Sequence, residues 1–148
     1  NISRSLKLDG SYGKIVVDNI DGKVDSKLRY GEGDFENINE LKLDSRYTKI
    51  KIDEINGEID ANMDYGQIMV DKVKYDTDIK GRYTEIDLYL DQDLSNFEFE
   101  AKTKYGDIDS SYLVNFREDD NTKIAKYKEG NGDVKIFLET EYEDINIR

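Results

Sequence analysis

The residues best placed to do chemistry are a column of tyrosines. Tyr12-Gly13-Lys14-Ile15, Tyr47-Thr48-Lys49-Ile50, Tyr65-Gly66-Gln67-Ile68, Tyr83-Thr84-Glu85-Ile86 and Tyr105-Gly106-Asp107-Ile108 share one pattern: Tyr, then Gly or Thr, then any residue, then Ile. Tyr30-Gly31-Glu32-Gly33 is a degenerate copy. Aromatic rings at a fixed place in a repeat could form a strip on which sugar rings or a partner stack. They could equally form a corner ladder, rings against rings with hydroxyls reaching water. The tyrosines share the parity of Leu8, Leu28 and Leu43, which alternation points inward, and this favours the structural ladder. Tyr75, Tyr89 and Tyr112 fall outside the column and are the best exposed candidates for recognition, although they share no register.

Carboxylates are abundant, and pairs such as Asp119-Asp120, or Glu141 with Glu143 and Asp144, are expected by chance. A glycosidase or lyase needs two or three carboxylates converging on one cleft, one of them with a raised pKa. There is no His and no repeated catalytic triplet, so the sequence predicts a protein that is not an enzyme, with no catalytic residues. Gly31-Glu32-Gly33-Asp34 and Gly130-Asn131-Gly132-Asp133 look superficially like calcium-binding turns. Neither fits the tandem Gly-Gly-x-Gly-x-Asp of calcium β-helix repeats, and no twelve-residue EF-hand loop is present. The expectation is no metal and no cofactor, with the binding residues left unidentified.

The elements that would carry the tyrosines follow from the spacing. The column recurs after 18, 17, 18, 18 and 22 residues. Three places after each Tyr stand Ile15, Gly33, Ile50, Ile68, Ile86 and Ile108; five places after stand Val17, Phe35, Ile52, Val70, Leu88 and Ser110. Apolar and polar residues alternate before each Tyr as well, for example Leu41 and Leu43 around Lys42. That is strand patterning, and no 3.6-residue apolar stripe is present, so essentially no helix is predicted. A repeat of about 18 residues cannot bury a core alone but can when stacked, which predicts a parallel β-solenoid of about eight rungs. Asp21-Gly22 and Asn56-Gly57 mark a second turn at positive φ. The same dipeptides are also hairpin signals, so an antiparallel meander is the alternative. One solenoid domain over residues 1–148 is expected, with a polar loop leaving the stack near 116–126 and the repeat resuming near Gly130 and Tyr142. The pattern begins near residue 6 with no evident cap, which predicts that the natural protein continues or that the ends self-associate.

Composition narrows the partners. With 34 acidic and 22 basic residues the formal net charge is -12. Such a surface without a basic patch predicts no nucleic-acid partner, and it disfavours an anionic membrane surface. No apolar run reaches the roughly 18 residues of a membrane helix, so no direct membrane insertion is expected. Cys, Trp and Pro are absent, which removes disulfide and thiolate chemistry.

Taken together, Tyr-Gly-x-Ile, Ser45-Arg46-Tyr47-Thr48-Lys49-Ile50-Lys51-Ile52-Asp53-Glu54-Ile55-Asn56-Gly57 and Gly130-Asn131-Gly132-Asp133-Val134 resemble the bacterial "putative adhesin" β-helix domains, including the auto-transporter adhesin head type. The resemblance spans about residues 6 to 147. It implies a right-handed β-helix, export from the cytoplasm and no known catalytic residues. The expectation is a non-enzymatic module of the bacterial envelope or surface, an adhesin or interaction scaffold whose partner is a surface glycan or envelope protein. Its expected place is extracytoplasmic, in the periplasm or at the cell surface, after removal of a signal segment not present in this chain. The alternatives are a carbohydrate-binding or carbohydrate-cleaving β-helix, and a structural spacer between domains.

Overall fold

The computed structural model describes residues 4–148, and among them every regular element is a strand. β1 (Arg4–Ile55) keeps strand conformation for 52 residues. It coils over itself, since Tyr30 stacks on Tyr12 and Tyr47 on Tyr30. β2 (Ile59–Val73) and β3 (Thr77–Leu90) follow, then β4 (Phe97–Lys104), β5 (Ile108–Ser110), β6 (Asn115–Asp119), β7 (Thr122–Glu129), β8 (Val134–Glu141) and β9 (Ile145–Ile147). They form one mixed, open sheet that bends into a solenoid-like stack.

Parallel register carries the repeat. β1 pairs β2 with Leu41 beside Ile59, Ile50 beside Ile68 and Ile52 beside Val70. β2 pairs β3 with Ile68 beside Ile86 and Val70 beside Leu88. Partners are thus 18 residues apart, which places like residue on like residue. The antiparallel meander therefore fails along this stack. A meander would set side chains across a hairpin, whereas the recurrent Ile, Val and Leu columns stack in parallel. Each column buries completely: Ile50, Ile52 and Ile55, then Ile68, Val70 and Val73, then Ile86 and Leu88, are 0–1% exposed. Each such side chain contributes about 1.5–3 kcal/mol by leaving water.

Three features depart from the expected stack. The chain does bend at Gly57, between β1 and β2. Positive φ, however, falls not at Asp21-Gly22 or Asn56-Gly57 but at the tyrosines and seven residues beyond the first four of them. Tyr12, Tyr30, Tyr47, Tyr65, Tyr83, Tyr105 and Tyr142 have φ of 51–66°, as do Asn19, Asn37, Glu54 and Lys72 at 51–58°. Gly57 serves another need: a Cβ there would stand 1.9 Å from the Asn39 carbonyl oxygen of the neighbouring turn.

Stacking order also differs from chain order. β8 lies between β3 and β4, with Ile79 beside Leu138 on one side and Ala101 beside Leu138 on the other. β9 lies likewise between β3 and β5. The last turn of the chain therefore occupies a slot that β3 and β4 leave open. The 22-residue interval between Tyr83 and Tyr105 has the physical reason to be long, because it steps two strand spacings, about 9.6 Å, instead of one.

Residues 116–126 are not a loop leaving the stack. β6 and β7 form an antiparallel hairpin, and β7 pairs antiparallel along the whole of β4, from Phe97 beside Glu129 to Lys104 beside Thr122. The polarity that suggested a loop belongs to β6, whose five residues are all exposed at the sheet edge. A charged edge strand of this kind resists further pairing.

Candidate functional site

A strand residue in the left-handed region interrupts the alternation of faces. Leu41, Leu43 and Ser45 are buried; then Arg46 and Tyr47 both face out; then Thr48, Ile50 and Ile52 are buried. Each tyrosine is therefore the point where the phase slips by one residue. This overturns the inward parity expected for the column. The inward place falls to the next residue, and Thr48 and Thr84 fill it, 4% and 0% exposed.

The buried hydroxyls around the corners are bonded, whereas that of Ser26, fully buried, has no partner. Thr48 Oγ1 donates to Ser45 Oγ at 2.8 Å, Thr103 Oγ1 to the Glu143 carbonyl at 2.8 Å and Thr140 Oγ1 to the Thr84 carbonyl at 2.7 Å. Where Gly follows the Tyr, the reason is close approach of backbones. A Cβ on Gly66 would lie 2.0 Å from the Thr48 carbonyl oxygen, and one on Gly106 1.9 Å from that of Glu143.

The tyrosine rings stand outside as a continuous ladder. Its order is Tyr12, Tyr30, Tyr47, Tyr65, Tyr83, Tyr142, Tyr105. Successive centroids are 4.6–5.0 Å apart, and ring planes lie within 16° of parallel. Seven rings at strand spacing make a strip roughly 30 Å long. Tyr142 completes it between Tyr83 and Tyr105. Sequence spacing alone could place Tyr142 in a rung but not in that slot.

The rings are exposed mostly at their edges. A flat group inserted between two of them would need about 7 Å, twice the contact distance of carbon atoms. The steps leave no such gap, so sugar or aromatic stacking on ring faces is closed along the ladder. What remains is a corrugated row of ring edges and phenol oxygens, repeating at the strand spacing. Backbone strain is built into this row, since left-handed conformation costs about 1–2 kcal/mol for a residue with a Cβ. Each stacking step returns about 0.5–1.5 kcal/mol.

Charges line the strip. The residue before each Tyr is Arg29, Arg46, Asp64, Arg82, Glu141 and Lys104 from the second ring onward. Arg46 pairs with Asp64 at 3.7 Å and Arg82 with Glu141 at 3.9 Å. The Arg82 guanidinium lies 5.6 Å from the Tyr83 centroid and the Lys104 ammonium 5.4 Å from that of Tyr105, within cation–π range.

The other candidates disperse. Tyr75 and Tyr89 are exposed at separate places, 44% and 40%. Tyr112 is half-buried against Phe97, Phe99 and Tyr127, with centroids 5.0–5.9 Å away, and burial pushes its hydroxyl pKa up. It therefore is not an exposed recognition residue. The carboxylates singled out in the sequence are dispersed in part: Glu141 faces Arg82, the Asp144 carboxylate accepts the Asp107 backbone N–H, and Asp119 lies beside Arg117. Glu143 and Asp144 come near Glu85, whose carboxyl is pushed above the usual range by burial first and then by its acidic neighbours. Asp34 of the first glycine-rich turn pairs with Lys14 at 3.1 Å. Among the described residues no three acidic side chains are placed to share a metal ion, and no helix long and apolar enough to cross a membrane is present.

Comparison with known proteins agrees with the fold. A crystal structure of a "putative cell adhesion protein" from Clostridium sporogenes superposes with a TM-score of 0.56 at 15% identity, covering 98% of this chain and 92% of that one. At that identity the likeness shows the fold. None of the curated proteins matches the chain. The resemblance seen in the sequence holds for the all-β, solenoid-like fold and does not reach the auto-transporter head type. Residues 3–148 of the sequence that folds into this tyrosine-cornered stack match the family model of the Toastrack domain, DUF4097, and the chain belongs to that family.

Proposed function

We propose that this chain is a non-enzymatic interaction module of the bacterial envelope or surface, and that the tyrosine ladder is its contact surface. The observation that carries the reading is the row of seven rings on left-handed backbone, six of them exposed and Tyr83 half-buried. Glycine or asparagine fills such a corner at lower cost. The chain keeps tyrosine at all seven, and the side chain rather than the corner accounts for that choice. An extended polymer lying along the solenoid axis matches a comb of phenol oxygens repeating every 4.6–5.0 Å. A surface glycan or an extended envelope protein has that form. The 18-residue rungs, wound right-handed, would set this comb straight. The neighbour's description as a cell adhesion protein agrees with recognition of this kind. An extracytoplasmic place follows from the same reading.

The test is an array of glycans and extracellular-matrix proteins probed with the chain and with Tyr47→Phe/Tyr65→Phe/Tyr83→Phe. Phenylalanine keeps the stacked rings and removes three hydroxyls. Each hydrogen bond is worth about 0.5–1.5 kcal/mol, so the expected loss is about tenfold or more in affinity. Binding unchanged by the triple variant would remove the ladder as the contact. Absence of binding by the parent chain would leave the structural spacer, the reading that ring-on-ring stacking favours.

A further inference from the structure

Phenol rings that are both exposed and in contact can do a chemistry that isolated phenols cannot. On the ladder, Tyr47, Tyr65, Tyr105 and Tyr142 are 42–51% exposed; off it, Tyr75 and Tyr89 are 44% and 40% exposed. Access from solvent is thus matched, and neighbours are not. Tyr142 lies 4.6 Å from Tyr83 and 5.0 Å from Tyr105, and Tyr65 lies 4.9 Å from Tyr47, centroid to centroid. Among the described residues neither Tyr75 nor Tyr89 stacks on another ring. Parallel turns also set like edge beside like edge, so the ring carbons next to the hydroxyls of two neighbours face each other about one strand spacing apart. The torsion that turns a tyrosine ring is broad, and an exposed edge leaves room for the swing to contact.

We infer that the ladder is a site of oxidative coupling, at which a one-electron oxidant, the oxidised haem of a peroxidase fed by hydrogen peroxide, joins stacked neighbours as dityrosine. Each of two phenols gives one electron to the haem and its hydroxyl proton to water. The two phenoxyl radicals then form a carbon–carbon bond between ring positions next to their oxygens. The hydrogen on each joined carbon moves to the oxygen of its own ring and restores the phenol. The pair has lost two hydrogen atoms, and hydrogen peroxide has been reduced to two waters. Rings held at strand spacing couple within one chain, without waiting for two radicals to meet by diffusion. The chain has no cysteine, so this is an oxidative staple open to it where a disulfide is not. Turns of such a stack are held only by their neighbours. A bond from Tyr142 to Tyr83 or Tyr105 would lock the inserted last turn into its slot and close a long loop, where a cross-link restricts the unfolded chain most. Ring geometry alone carries this inference, which therefore holds whether or not the ladder binds a polymer.

The test treats the dilute chain with a haem peroxidase and hydrogen peroxide and maps linked peptides by mass spectrometry. Dityrosine fluorescence is expected, with a single-chain mass lower by two hydrogens per link. Links between ladder neighbours should exceed those to Tyr75 or Tyr89 by roughly tenfold or more. Tyr75→Phe/Tyr89→Phe should leave the yield unchanged. Tyr142→Phe keeps a stacked ring that cannot become a phenoxyl; it should remove the links made by Tyr142, keep that between Tyr47 and Tyr65, and open none between Tyr83 and Tyr105, which it still separates. Coupling that follows exposure, with Tyr75 and Tyr89 linked as often as the ladder, overturns the inference. So does linkage chiefly between chains, and so does oxidation of the tyrosines without dityrosine.

Discussion

At the residue scale, the ladder tyrosine holds two opposing tendencies. Its backbone sits where a Cβ is disfavoured, and its ring has a stacked neighbour on each side. Tyr65 shows the balance, with centroids 4.9 Å from Tyr47 and 4.7 Å from Tyr83 at φ 56°. Tyr65→Ala loses both stacks and keeps the strain, and is expected to cost about 2–3 kcal/mol. Tyr65→Asn loses the same stacks but tolerates the left-handed corner, and should cost about 1 kcal/mol less. Urea unfolding of the pair measures the difference; equal losses would mean that the corner itself carries no strain. The position of the rings was hidden from the sequence for the same reason. Strict alternation makes Tyr47 an inward residue after Leu43 and Ser45, and only a left-handed φ at the tyrosine turns it out and brings Thr48 in. Periodicity in composition reveals that a repeat exists; it does not reveal a one-residue slip inside it. The inward places beyond the corner, such as Ile50 and Ile52, were legible because they are counted from the tyrosine and not across it.

At the element scale, the parallel register was legible and the order of stacking was not. Eighteen-residue columns of Ile, Val and Leu specify which residue lies on which, but not which turn lies on which, because every turn offers nearly the same columns. The 22-residue interval was the one trace of the inserted slot. Removal of residues 134–148 distinguishes the two orders. In a stack that followed the chain, loss of a last turn would leave the others paired and lower stability modestly. Here β8 and β9 hold β3 to β4 and β5, so the deletion strands two edges about 9.6 Å apart. The deleted chain is expected to lose the β4–β7 part outright, seen by hydrogen exchange as protection kept in β2 and lost in β4 and β7. Uniform protection in β4 would refute the inserted position.

At the scale of the whole molecule, a net charge of -12 is spread over a narrow stack, and like charges come close where turns coincide. Glu85 is the clearest case. Burial first, and then Asp87, Glu143 and Asp144, hold its carboxyl above the usual glutamate range. Glu98 is the opposite, held low by its hydrogen bond to Lys135 at 2.8 Å. The signs follow from linkage. A raised folded pKa means that ionised Glu85 weakens the fold at neutral pH, and that this penalty disappears as pH falls below its ordinary value of about 4.3. A lowered folded pKa means that ionised Glu98 supports the fold at neutral pH, and that this support is lost as pH falls through the folded value. Glu85→Gln should therefore raise the melting temperature at pH 7 by a gain that fades towards pH 4, while Glu98→Gln should lower it by a loss that fades over the same acid range. Glu36→Gln, on an exposed site in β1, removes the same unit of charge and gauges the general relief of repulsion. Salt separates the local from the general. At 1 M the screening length is about 3 Å, so distant repulsion is removed and the gain from Glu36→Gln should vanish. The part of the Glu85→Gln gain that comes from burial should survive. A Glu85→Gln gain no larger than that of Glu36→Gln at low salt would show that the turn-on-turn carboxylates do not interact, and that the acidity of this surface acts only as a diffuse charge.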